Sequence, residues 1–135
     1  MALSEPSALL SSSQDTARLA LRPPLVSDRE AMFELHADPV ANRFSPSGPL
    51  NSREASQALL QCWLNHWQSQ GFGYWAIAGR DRPEDLIGFG GVMRRSVGGV
   101  TGLYLYFRFR PQNWGQGLAS EMALAALELA FERLH

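Results

Sequence analysis

The stretch from Leu103 to the chain end at His135 constrains the fold more than any other segment. Leu103, Leu105, Phe107 and Phe109 fall on one face of a strand, and Tyr104, Tyr106, Arg108 and Arg110 on the other. Arg110-Pro111-Gln112-Asn113 reads as a turn. Trp114-Gly115-Gln116-Gly117-Leu118-Ala119-Ser120-Glu121 reads as a glycine-rich loop opening a helix. Such a loop, held between strand and helix, bares backbone N–H groups at the positive end of a helix dipole, a place suited to phosphate oxygens. The helix, from about Gly115 to Leu134, is too apolar for a surface helix and is expected to pack on a sheet.

The remainder supplies the sheet. Residues 1 to 15 are rich in serine and read as a flexible tail. Arg18-Leu19-Ala20-Leu21-Arg22 alternates like a strand and is closed by Pro23-Pro24. Ser27-Asp28-Arg29-Glu30 has the spacing of a capping box and predicts a helix through about His36. Asn51-Ser52-Arg53-Glu54 predicts a second helix, with an apolar stripe through Ala55, Leu59, Leu60, Trp63, Leu64 and Trp67 and a stop at Gly71. Phe72 to Ala78 and Leu86 to Met93 read as strands, separated by a turn at 81–85, and Gly98-Gly99 makes the next turn. Gly88, Gly90 and Gly91 inside a strand mark a bulge or a close backbone approach.

Composition excludes several classes. A chain of 135 residues holds one domain, and 45% apolar with 19% charged residues suits a folded one. Net charge is −1, which argues against a general nucleic-acid binder. No apolar run is long enough to span a bilayer, so no membrane role is expected. Cys62 is the sole cysteine, which predicts a reducing compartment and a cytoplasmic location. All twelve basic residues are arginines, so neither a Schiff-base lysine nor a Walker-type loop is present.

The order of these elements resembles the GNAT superfamily of acetyl-CoA-dependent N-acetyltransferases. Within it the chain is most similar to the ribosomal-protein alanine acetyltransferase (Rim-type) branch. The segments that carry the resemblance are Arg18 to Pro23, Phe33 to Pro39, Gly71 to Ile77, Leu86 to Gly91 and Pro111 to Glu121, in the family's order. The last is the most specific. The resemblance implies an α/β fold: a mixed, mostly antiparallel sheet flanked by helices on both faces. It assigns residues 16–135 to the N-terminal and central part of an acetyl-CoA-binding domain. The family's fold continues with further strands and a helix, so the resemblance reads the chain as cut short at its C-terminus, or as one whose open sheet edge a second copy covers in a homo-oligomer.

The resemblance also implies a cofactor site. The family's phosphate motif, R/Q-x-x-G-x-G/A, fits in two frames. Gln112 to Gly117 matches the letters but would place its second glycine inside the expected helix. Trp114 to Ala119 is therefore preferred, with Trp114 in place of the usual Arg or Gln. Amides of Gly115, Gln116, Gly117, Leu118, Ala119 and Ser120, and the Ser120 hydroxyl, would hold the pyrophosphate of coenzyme A. The strand end from Phe107 to Phe109 would bond the pantetheine arm, with the amide near Phe109 polarising the thioester carbonyl. Function follows as acetyl transfer to a primary amine of a small molecule or a peptide, including a protein N-terminus. The alternative is a catalytically incomplete module that binds coenzyme A or a partner protein.

No general acid is assigned. Tyr104, Tyr106, Glu34 and His36 are candidates for the base without a motif behind them. His36 and His66 lack metal spacing. Trp63, Trp67 and Trp75 read as core, and Trp114 either walls the cofactor site or anchors the loop. Arg108 reads first as part of a solvated strand face, with contact to a coenzyme A phosphate or an acidic substrate as the sharper option; for Arg110 neither option is preferred.

Overall fold

The computed structural model describes residues 13–45 and 48–133. Among them five strands form one sheet in chain order, every neighbouring pair antiparallel. The strands are β1 (Gln14–Asp15), β2 (Leu19–Arg22), β3 (Tyr74–Gly79), β4 (Arg82–Val97) and β5 (Val100–Phe109). The α-helices are α1 (Arg29–Ala37), α2 (Arg53–Gln70) and α3 (Leu118–Arg133). β1 takes up the last residues of the segment read as a tail; residues 1–12 lie outside the described part, as do 46 and 47 of the loop before α2.

Period-two alternation decides which helix covers which face. Trp75 and Ile77 of β3 turn to the face covered by α3, where they pack with Phe109, Met122 and Ala126. Tyr74 and Ala76 turn to the opposite face, where α1 and α2 supply Met32, Leu35, Leu60 and Trp63. Trp75 and Phe89 are buried almost completely. Burying a side chain of this kind contributes about 1.5–3 kcal/mol, more than an exposed ion pair supplies.

Local chemistry explains the boundaries. Ser52 caps α2, its Oγ accepting from the Ala55 amide at 3.1 Å, and Gly71 ends the helix in the left-handed region at φ 79°. The β4–β5 hairpin closes on Gly98 and Gly99, φ 59° and 81°, between the paired Val97 and Val100, the two-residue turn that matches strand twist. Gly88 and Gly90 mark a close approach. A Cβ on either would lie 2.6 Å from a carbonyl oxygen of β5.

Two expectations are corrected. The box of Ser27 and Glu30 does not form. Asp28 is drawn to Arg22 instead, accepting from both terminal guanidinium nitrogens at 2.9 Å and from the Leu25 amide at 2.7 Å, and a 3-10 turn (Val26–Asp28) leads into α1. Glu30 pairs with Arg53. The turn at 81–85 is also shorter than expected. β4 already starts at Arg82, paired with Gly79, and Leu86 then pairs with Ala78. Pro83, Glu84 and Asp85 therefore bulge out of register rather than end the strand.

Candidate functional site

Among the described residues β5 is the edge strand of the sheet, and its polar groups alternate in direction. The Arg110 amide donates to the Ile87 carbonyl at 2.8 Å, so Arg110, Arg108 and Tyr106 present their backbone groups to β4. Phe109 and Phe107 present theirs to the free edge. Trp114 then takes one of these groups, its indole Nε1 donating to the Phe109 carbonyl at 2.9 Å. The N–H is what remains open at Phe109.

After a one-turn helix (Pro111–Asn113) the chain passes Gly115 and Gly117, both at φ 77°. That conformation suits glycine and cannot continue a right-handed helix. α3 consequently starts at Leu118, not at Gly115 as expected. This removes the ground for preferring the Trp114-to-Ala119 frame, since Gly117 lies ahead of the helix. Among the described residues the amides of Gly115 to Ser120 make no hydrogen bond, and the first amide of this stretch to do so is that of Glu121, to the Gly117 carbonyl at 3.1 Å. Nothing described lies within 4 Å of a Cβ built on Gly115.

The loop, α3 and β5 border a cleft of about 510 Å³. Phe107, Phe109, Trp114, Gly115, Gly117, Leu118, Ala119 and Ser120 all line it. The Leu118 side chain itself is buried in the core, leaving its backbone for the cleft. The Trp114 ring lines the cleft, and its N–H anchors the loop on the Phe109 carbonyl. Gln116 is the exception. It faces a neighbouring groove, and its carbonyl accepts from Arg18 Nη1 at 2.8 Å.

Arg18 belongs to a brace that local sequence does not announce. Glu121, in the first turn of α3, accepts from Arg18 Nε at 2.6 Å, from the Arg18 amide at 2.8 Å and from Thr16 Oγ1. The loop is thus tied from behind to the segment that leads into β2. The far wall of the cleft was also not foreseen. It comes from Ala41, Arg43 and Phe44, in the segment after α1, with the Arg43 guanidinium 4.8 Å from the Phe44 ring centre and 5.9 Å from that of Trp114.

On the face covered by α1 and α2 lies a second pocket, of about 360 Å³, and Arg108 borders both. Here two of the four base candidates meet. His36 Nδ1 lies 3.0 Å from the Met32 carbonyl, which can only accept, so Nδ1 carries the hydrogen. Nε2 therefore accepts from the Tyr106 hydroxyl. Burial pushes His36 down to about 4, with the Arg108 charge acting the same way. Burial pushes Tyr106 up to about 12. The other two candidates are elsewhere. Glu34 pairs with Arg110 at 3.3 Å, and the Tyr104 hydroxyl reaches the Val100 carbonyl at 3.4 Å. His66 is structural, with Nδ1 on the Phe72 carbonyl at 2.8 Å and Nε2 accepting the Arg94 amide at 3.0 Å. Among the described residues no cluster could hold a metal ion and no helix is long and apolar enough to cross a membrane.

An antiparallel sheet covered on both faces, with a strand, glycine loop and helix at one edge, is an architecture this chain shares with solved acetyltransferases. The sequence profile of the acetyltransferase (GNAT) domain matches residues 18–135, and the chain belongs to that family. It is an acetyl-CoA-dependent N-acetyltransferase domain. Solved relatives agree in fold. An acetyltransferase from Agrobacterium tumefaciens str. C58 matches with a TM-score of 0.72 at 25% identity, over 89% of this chain and 67% of that protein. An acetyltransferase (GNAT family) from Bacillus anthracis matches with a TM-score of 0.67 at 21% identity, over 88% of this chain and 66% of that protein. The chain thus spans about two thirds of the length of these proteins.

Proposed function

We propose that this domain moves the acetyl group of acetyl-CoA to a primary amine, with protein amino termini the acceptor class favoured by its similarity to the ribosomal-protein alanine branch. The observation that carries the reading is the run of uncommitted amides from Gly115 to Ser120 beside the free edge of β5. The diphosphate of the cofactor fits those amides at the positive end of α3, with the exposed Ser120 hydroxyl as a further donor. The N–H groups of Phe107 and Phe109 fit the amide arm as a neighbouring strand would. When bound, acetyl-CoA supplies the thioester and the acyl group.

The protein's own part is orientation and charge. Trp114 occupies the Phe109 carbonyl, so the group Phe109 turns toward a thioester oxygen is a donor, as an oxyanion site requires. The Tyr106 hydroxyl has given its hydrogen to His36, so its oxygen offers lone pairs to an incoming amine N–H. With His36 held low and Tyr106 held high, both stay neutral near pH 7 and the pair orients the amine rather than ionising.

Thermal unfolding with acetyl-CoA tests the reading, alongside free-thiol release in the presence of amines. Ligand at a hundred times its dissociation constant adds about 2.7 kcal/mol. No shift at millimolar acetyl-CoA ends the proposal; a shift without thiol release from any amine reduces it to a binding module.

A further inference from the structure

The pocket beside Tyr106 has a composition that acetyl transfer alone does not explain. Its ionisable lining includes His36 and two guanidiniums, Arg95 and Arg108, and no carboxylate. Among the described residues neither arginine has an acidic partner. Arg108 is half-buried and sits over the Tyr106 ring, its Cζ 5.3 Å from the ring centre. Its Nε is shut off from solvent and makes no hydrogen bond. The Tyr74 hydroxyl in the same pocket is likewise buried, with the Arg95 guanidinium beside it and no acceptor for its hydrogen. Buried donors left open cost stability unless something polar completes them.

Resting on the acetyl-transfer reading, we infer that this pocket selects an amine acceptor bearing a carboxylate close to its amino group. The carboxylate would lie between Arg108 and Arg95, completing the buried donors by charge-assisted hydrogen bonds. The amine would then stand at the Tyr106 oxygen, near the border that Arg108 shares with the cofactor cleft. Nearby guanidiniums also disfavour an ammonium, which favours the neutral amine that must attack. The same positive field rejects polyamines and lysine-rich segments. The groups that face this site are His36 from α1, Cys62 from α2, Tyr74 from β3, Arg95 from β4, and Tyr106 and Arg108 from β5.

The test is direct binding and acetylation with four probes. L-glutamate and an amidated tripeptide beginning with glutamate carry the carboxylate, and comparing them separates a free amino acid from an acidic peptide terminus. Glutamate dimethyl ester and putrescine lack it. Binding is read by isothermal titration calorimetry. At least one acidic probe should bind tenfold or more tighter than both controls. Arg108→Gln should abolish that preference, and Arg95→Gln, at an exposed position less able to disturb folding, should reduce it at least threefold. Equal or tighter binding of the ester or putrescine overturns the inference. So does an Arg108→Gln protein that keeps the preference and loses acetyl-CoA affinity instead. The two readings fail separately. Acetylation of the controls at undiminished rate leaves acetyl transfer standing and sinks the acidic acceptor, whereas selective glutamate binding without any acetyl-CoA shift sinks acetyl transfer alone.

Discussion

The His36 imidazole and the Tyr106 phenol meet at 2.5 Å across the sheet face that α1 and α2 cover. Their positions are 70 apart in sequence. Burial keeps His36 neutral, and the contact then fixes the proton on Tyr106, because Nδ1 donates to the Met32 carbonyl and Nε2 is left to accept. A buried imidazole that resists protonation links stability to pH.

The folded protein protonates His36 only near pH 4, whereas the unfolded chain does so near its ordinary 6.5. Unfolding therefore takes up a proton between these values, and stability is lost as pH falls from 6.5 to 4, by up to roughly 3 kcal/mol. Above 6.5 the contribution is constant. His66 is lowered by burial too and adds in the same direction. Urea denaturation of wild type and His36→Gln from pH 4 to 7.5 measures the difference; wild type should lose more stability on acidification than the variant. Equal slopes would refute a buried neutral His36. Glu30, held below the ordinary carboxylate range by its hydrogen bond to Arg53, acts in the same direction in both proteins and cancels in the comparison.

Replacing Gly115 by alanine should separate backbone strain from ligand contact. The added Cβ meets open space, so the cost is that of the left-handed conformation, about 1 kcal/mol. Gly98→Ala, in the remote hairpin with φ 59° and equally open surroundings, should cost the same in chemical denaturation. Acetyl-CoA affinity should drop at least tenfold in Gly115→Ala and stay unchanged in Gly98→Ala.

Glu121→Ala should loosen the loop by removing the acceptor of Arg18 and Thr16. Burial pushes the Glu121 carboxyl up, but the Thr16 and Arg18 hydrogen bonds outweigh it and hold the carboxyl below its ordinary range. Arg18 is half exposed, so solvent limits the stability loss to about 1 kcal/mol. Amide exchange at residues 115–120 should accelerate, and acetyl-CoA should bind several-fold more weakly by calorimetry.

Trp114→Phe keeps a ring in the cleft and deletes the donor to the Phe109 carbonyl. Stability should fall by about 1 kcal/mol. Turnover should fall more than acetyl-CoA affinity, because the Phe109 peptide loses its fixed direction while the loop amides remain. A proportional loss of both in steady-state kinetics would place Trp114 in binding alone.

Features decided within a few residues were legible in the chain. Ser52 and Gly71 bracket α2 because capping and left-handed stops act over one helical turn. Gly98-Gly99 makes the hairpin for the same reason, and the alternation along β5 divides its side chains between two covered faces. Ser27 and Glu30 failed as a box because a distant partner claims the acid: Arg53, on α2, pairs with Glu30, while Asp28 takes the Leu25 amide together with two guanidinium donors of Arg22.

The strand, the two glycines and the apolar helix were thus determined by local sterics and hydrophobic period, and with them the loop of open amides. Only tertiary structure decided what surrounds that loop. Arg43 and Phe44 form the far wall, Arg18 reaches Glu121 across 103 positions, and His36 finds Tyr106. Those contacts arise where sheet register and helix packing bring distant side chains together, and no short-range pattern encodes a distance between segments that meet only when the core closes.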